Sequence, residues 1–262
     1  MPGLGHFHGQ GLRARGLQQG RFHLGQDRFA GPGTGVKIIG ALADIHGNFD
    51  AMGAAMRRHP EVPFWICVGD VASRTGTYPE PPKPLYWIKG NNEDFDRIAA
   101  WQAGRDLVPN LHFIPNGTAC MVGPLRIAGL GGTYAPTWIE TPAAQLPHHK
   151  LADDKRRHFV REEVDACREM RGVDIFMTHE AARPFVIVDE PKPGKRALRR
   201  DAGKPAINDV LASMKPRLHL CGHHHRFVET MREGVRSVCI DRINRSYLLI
   251  DVDTLEYHKV DQ

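Results

Sequence analysis

No run of the 262-residue chain approaches the ~20 consecutive apolar residues that a membrane-spanning helix needs, so no membrane partner is expected. Cysteine is scarce: five residues, at 67, 120, 167, 221 and 239, with no CxxC pair. An odd, scattered set of this kind argues against a disulfide framework and against a thiolate zinc site, and it fits a reducing cytoplasm. Charge of one sign does not dominate, with 35 Lys and Arg against 30 acidic residues and a net charge of +5. That balance admits an anionic substrate but does not by itself call for nucleic-acid binding. Hydrophobic residues at 41% and charged residues at 25% exclude a wholly disordered or fibrous chain. The length suffices for one large domain or two small ones with a sizeable core.

Residues 1–35 also lack something: they are glycine-rich, with three histidines, and show no apolar periodicity. With no apolar stretch behind the start, they do not read as a signal peptide. Two expectations stand side by side, a flexible leader or a misassigned start. Val36 opens the first good strand, and valine codons include GTG, an alternative bacterial start. The segment carries four arginines against one aspartate, so the remainder would carry only +2.

From residue 36 to 262 the chain reads as one domain of alternating strands and helices. Strands are expected at 37–43, 63–68, 85–88, 111–115, 118–122, 125–130, 174–178 and 217–221, and helices near 49–59, 93–103, 153–170 and 205–214. The continuous apolar runs suit strands buried on both faces. Residues 181–205, rich in Pro, Lys and Arg, read as a long surface loop, and 226–259 as antiparallel strands. The class is α/β.

The polar clusters fall where apolar strands end: Asp44-Ile45-His46-Gly47-Asn48, Gly69-Asp70, Gly90-Asn91-Asn92-Glu93, Thr178-His179 and Gly222-His223-His224-His225. In open α/β sheets, sites form outside the carboxyl ends of the strands. If these segments are extended, Asp44 with His46, and His223 with His225, each present two ligands to one side, while His224 alternates away. Carboxylates, an amide and imidazoles suit Mn, Fe, Zn or Co rather than a calcium cage. Seven such ligands exceed one tetrahedral site, and a carboxylate such as Asp70 can bridge two ions ~3.5–4 Å apart.

The ordered set D-x-H-G-N, G-D, G-N-x-E, T-H and G-H-x-H, with steps of 26, 21, 88 and 44 residues between Asp44, Asp70, Asn91, His179 and His223, resembles the calcineurin-like metallophosphoesterases over about residues 36–260. The resemblance implies a four-layer α/β/β/α sandwich with two divalent metals at the strand ends. It implies that Asp44, His46 and His225 bind one ion, that Asn91, His179 and His223 bind the other, and that Asp70 bridges. It further implies a metal-dependent phosphoric ester hydrolase in which a bridged hydroxide attacks phosphorus in line, with a phosphate ester, including a nucleotide or nucleic acid, as substrate. One position departs: Asn92 stands where most of the family has a histidine thought to protonate the leaving group. An amide donates a hydrogen bond but delivers no proton at neutral pH. Gly131-Gly132-Thr133-Tyr134 after a strand resembles, more faintly, a segment of the RNA lariat debranching enzymes of this superfamily, which leans the expectation towards phosphodiesters.

Other residues invite plainer readings. Asn48 is expected to cap the following helix, and Glu93 to be a first-turn helix acid. His148-His149 and His6/His8 have ligand-like spacing but no strand end to place them. Cys67 and Cys221 read as packing residues, and Trp87, Trp101 and Trp138 as core or rim. Lys192, Lys195, Arg196, Arg199, Arg200 and Lys204 form a solvated loop or, alternatively, a lid in which Arg199 and Arg200 join Asn92 in binding substrate. Two alternatives remain beside the phosphodiesterase: a weakly catalytic or non-catalytic binding module on the same fold, as in a retromer subunit, favoured by Asn92 alone, and a nucleic-acid-processing enzyme, favoured by the basic loop.

Overall fold

The computed structural model describes residues 35–149, 154–188 and 199–262. Strand β1 (Ile38–Leu42) shows how the layers arise. Successive side chains point to opposite faces, so Ile39 and Ala41 enter a core between two sheets while Leu42 meets helices on the other side. Helix α1 (Phe49–Arg58) buries Met52, Ala55 and Met56 at helical spacing against that outer face. Strands β2 (Trp65–Cys67), β3 (Leu85–Trp87) and β4 (Leu111–Phe113) follow in parallel, and α2 (Phe95–Gln102) lies between the last two in sequence. Asp94 caps α2 by accepting from the N–H groups of Asp96 and Arg97.

The hairpin β5 (Thr118–Val122) and β6 (Leu125–Leu130) begins the second sheet, turning at Gly123-Pro124. Helix α3 (Arg161–Glu169) then leads to β7 (Ile175–Thr178), and α4 (Pro205–Met214) to β10 (Leu218–Cys221). Between them β8 (Val186–Val188) and β9 (Arg199–Asp201) pair as a short hairpin. The expected loop at 181–205 therefore holds two strands, consistent with the β-branched Val186-Ile187-Val188 run. The expected helix at 153–170 is shorter: a 3₁₀ turn spans Lys155–Arg157, and α3 begins only at Arg161. Between them Phe159 donates its N–H to the Thr133 carbonyl, a partner outside any helix.

The C-terminal strands divide. The hairpin of β11 (Val228–Arg232) and β12 (Val235–Cys239) joins the second sheet, with β12 parallel to β10. The hairpin of β13 (Ser246–Asp251) and β14 (Tyr257–Asp261) joins the first, antiparallel to β1. The strand orders are β14-β13-β1-β2-β3-β4 and β11-β12-β10-β7-β6-β5. Between the sheets Ile66, Ile127, Ile175, Leu218, Leu220, Leu248 and Ile250 are fully buried, each contributing about 1.5–3 kcal/mol. Helices α1 and α2 cover the first sheet and α3 and α4 the second, which gives the α/β/β/α order. Trp87 and Trp101 sit in the outer core of the first sheet, and Cys67, Cys167, Cys221 and Cys239 are buried free thiols. No described helix is long and apolar enough to cross a membrane.

Candidate metal centre

Strands β1, β2 and β3 of one sheet and β7 and β10 of the other bring their carboxyl ends to one edge. Asp44 and His46 follow β1, Asp70 follows β2, Asn91 follows β3, His179 follows β7, and His223 and His225 follow β10. The loops that carry them are not extended. Asp44, His46, Asp70, His223 and His225 all have positive φ, between 47° and 66°. For residues with a side chain that region costs of order 1–2 kcal/mol each, and strain of this kind collects where function demands a fixed geometry. The paired ligands are thus aimed by left-handed turns, which corrects the expectation of an extended i, i+2 arrangement. Gly90 shows how closely the loops approach, since a Cβ there would stand 2.0 Å from Asp70 Oδ1.

Among the described residues two triads could hold a cation: Asp44, His46 and His225, and Asp44, Asp70 and His179, each with ligand atoms within 4.8 Å of one another. In the first, His225 Nε2 is 3.5 Å and His46 Nε2 3.7 Å from Asp44 Oδ1, and the two imidazole nitrogens are 3.1 Å apart. In the second, His179 Nε2 lies 3.5 Å from Asp70 Oδ2. Asp70 Oδ2 is also 3.5 Å from His46 Nε2, so this carboxylate stands between the groups. Asn91 Oδ1 is 3.0 Å from His179 Nε2, and the His223 ring lies 5.0 Å from that of His179. All seven residues expected as ligands therefore lie in one neighbourhood.

The donor chemistry fits divalent cations. Asp44 is fully buried, and its Oδ1 accepts no hydrogen bond, a costly arrangement for a carboxylate unless a cation faces it. His179 Nδ1 donates to the Val68 carbonyl at 2.8 Å, which turns Nε2 towards Asp70 and Asn91. Burial disfavours a charged His179 ring, yet Asp70 beside it raises the group to about 10. Burial likewise opposes ionisation of Asp70, but His179 and His46 hold its carboxyl well below the usual range. The site thus demands positive charge. Burial pulls His223 down to about 3, leaving the neutral ring that ligates metals.

Around these residues lies a supporting layer. Glu93 is not a helix-turn acid: it precedes the α2 cap and buckles the strand-end loops together. Its Oε1 accepts from Val71 N–H at 3.0 Å and Gly90 N–H at 3.1 Å; its Oε2 accepts from Ala72 N–H at 3.2 Å and the Tyr78 hydroxyl at 2.9 Å. Asn48 occupies the cap position of α1 without a side-chain cap, and its amide donates to the Ile45 carbonyl instead. His224 turns away from the ligands, as expected, and stacks on Phe185 with centroids 4.4 Å apart. His148 and His149 are exposed, and His6 and His8 lie outside the described residues. So do Lys192, Lys195 and Arg196, while Arg199 and Arg200 are exposed on β9. Lys204 does reach the centre's border, with Nζ 3.2 Å from Glu180 Oε1.

Sequence reasoning passed over Glu180 and Arg157. Glu180 is buried beside His179, accepts the Tyr134 N–H at 2.5 Å and lies 4.0 Å from His223 Nε2. An acidic residue directly after a buried strand's histidine was the available signal. Arg157 donates to the Asn91 carbonyl at 2.6 Å, a contact 66 residues apart in sequence that no local pattern announces.

Comparison with known proteins agrees with this geometry. The profile of the calcineurin-like phosphoesterases matches residues 38–227. A lariat debranching enzyme of Schizosaccharomyces pombe is 24% identical over 196 residues, which is 70% of this chain but 42% of the relative, so the chain spans less than half the length of that protein. The crystal structure of TT1561 of Thermus thermophilus shares the fold at a TM-score of 0.59 with 14% identity, over 87% of this chain and 99% of that one. A second solved chain matches at a TM-score of 0.60 with 12% identity, over 86% and 98%. With the ligand motifs gathered at one edge and the family profile running across most of the domain, the chain belongs to the calcineurin-like phosphoesterases.

Proposed function

We propose that this protein is a phosphodiesterase acting on nucleotide or nucleic-acid esters. The observation that carries the reading is the meeting of two ligand triads, Asp44, His46 and His225 with Asp44, Asp70 and His179, at a buried Asp44 whose Oδ1 accepts no hydrogen bond, with Asn91 and His223 beside His179. Asp44, His46 and His225 would hold one divalent ion, Asn91, His179 and His223 a second, with Asp70 between them. Mn, Fe, Zn and Co all suit such donors. Bound there, the ions would polarise the phosphate and generate a nucleophile from water. Asp70 and Asp44 fix the charge of the site, while Glu93 holds the two loops that carry Asp70 and Asn91.

Asn92 bears on which leaving groups the site favours. Its amide is neutral and donates to Asp70 Oδ2 at 2.7 Å, so no proton donor stands at that position for a leaving alkoxide. Esters whose leaving groups depart without protonation suffer least. Likeness to a lariat debranching enzyme supports a nucleic-acid diester as substrate, and the Gly131-Gly132-Thr133-Tyr134 segment resembles one in enzymes of that kind.

The deciding experiment is metal analysis of the purified protein paired with turnover of bis(p-nitrophenyl) phosphate and p-nitrophenyl phosphate. About two ions per chain and faster turnover of the diester are expected. Absence of bound metal together with absence of turnover on both substrates would overturn the reading in favour of a binding module.

A further inference from the structure

We propose that Arg157 contacts the substrate phosphate and supplies, beside Asn91 and Asn92, the fixed positive charge that Asn92 cannot. The proposal rests on the phosphoesterase reading above and names one further residue of that site.

Asn92 is occupied with Asp70 and carries no charge. The Arg157 guanidinium stands at the same loop, donating from Nη2 to the carbonyl of Asn91, the residue immediately before it, at 2.6 Å. Its position is built by several separate contacts. Thr133 N–H donates to the Arg157 carbonyl at 2.9 Å, and Phe159 N–H donates to the Thr133 carbonyl at 3.1 Å. Gly132 N–H donates to the Lys89 carbonyl at 2.8 Å, while Lys89 Nζ donates to the carbonyls of Arg156 at 2.8 Å and His158 at 3.1 Å. No side chain fits at Gly132, where a Cβ would lie 2.3 Å from the Arg157 oxygen, and its φ of +87° also favours glycine. The Gly131-Gly132-Thr133 segment therefore stitches the 155–159 turn to the 89–92 loop. On this view the segment serves the site by seating Arg157, without a substrate contact of its own.

The chemistry suits an arginine. In hydrolysis a water oxygen forms a bond to phosphorus, the ester P–O bond breaks, its electron pair leaves on the ester oxygen, and the water's proton passes to solvent. A guanidinium stays protonated throughout and offers donors in a planar fork that matches phosphate oxygens. It stabilises charge on the phosphate and the departing oxygen without moving a proton, as a site with Asn92 in the acid's place requires.

The test uses the full-length, metal-loaded protein with Arg157→Gln and Arg157→Lys. Bound metal, melting temperature, kcat and KM on bis(p-nitrophenyl) phosphate, and rescue by added guanidinium ion are measured. The Gln variant should lose about 10²-fold in kcat/KM, keep its metal and melting temperature, and recover partly with guanidinium but not with urea. The Lys variant should fall between the two. Wild-type kinetics in the Gln variant, with an active parent, would overturn this proposal alone. Activity lost in step with metal, without guanidinium rescue, would also overturn it by making Arg157 a prop for Asn91. A metal-loaded parent that hydrolyses nothing would sink the phosphoesterase reading and this proposal with it.

Discussion

Asn92 is bound to Asp70 twice: its backbone N–H donates to Oδ1 at 2.8 Å and its side-chain amide to Oδ2 at 2.7 Å. The residue that departs from the family pattern therefore serves the carboxylate at the middle of the candidate centre. A leaving oxygen must depart unprotonated or take its proton from water, so rate should depend steeply on leaving-group pKa. In Asn92→His, poor leaving groups should gain most, by about 10-fold or more, and aryl esters little. The measurement is log rate against leaving-group pKa for both proteins, and equal slopes would show that no acid is missing at this position.

Asp70 lies within 3.5 Å of both His46 and His179. Asp70→Ala should lose much of its bound metal and more than about 10²-fold in activity. Chelator should silence the parent protein, and restoring Mn, Fe, Zn or Co should revive it. His148→Ala, at an exposed position, should change neither metal content nor rate. Full metal content in Asp70→Ala would remove this residue from the centre.

Glu93 accepts four hydrogen bonds from three backbone N–H groups and the Tyr78 hydroxyl. In Glu93→Gln the amide nitrogen must face donors, whichever way it is turned, at a cost of about 1–3 kcal/mol. Thermal unfolding should register a loss of about 2–4 °C for each kcal/mol, with weaker metal retention because the loops of Asp70 and Asn91 loosen. An unchanged melting temperature would show that the buckle carries no stability.

Arg199 and Arg200 are exposed on β9. If they steer an anionic substrate, neutralising both should raise KM several-fold at low ionic strength, and the effect should fade as salt screens them beyond about 10 Å. Identical kinetics at low salt would assign them to solvated surface.

Val36 packs on the core between the sheets, and β1 begins at Ile38. A chain beginning at Val36 should therefore fold, melt within about 2 °C of the full-length protein and keep its activity. A melting point many degrees lower would mean that residues 1–35 contribute to the domain.

Much of this molecule was legible along the chain, because strand ends, buried apolar runs and turn residues are local signals. The run of Pro205–Met214 reads as a helix and is one, and each polar cluster follows its strand as expected. Glu93 was misread for a physical reason: its position looks like a helix start, but its partners Val71, Ala72 and Tyr78 lie 15–22 residues away.

The order of ligand types and the α/β alternation follow from residue chemistry and hydrophobic period, which a linear chain displays directly. The aim of the ligands does not. Asp44, His46, Asp70, His223 and His225 enter left-handed backbone that their own side chains disfavour, so packing of the surrounding loops must impose it. The division of the last four strands between two sheets is likewise a matter of long-range pairing: Ile243 N–H reaches the Ala43 carbonyl as the chain crosses from β12 to β13. Contacts such as Arg157 with Asn91, or Asp44 with His225, join residues 66 and 181 positions apart. They exist because two twisted sheets close on one core, and that closure has no signature in any short stretch of sequence.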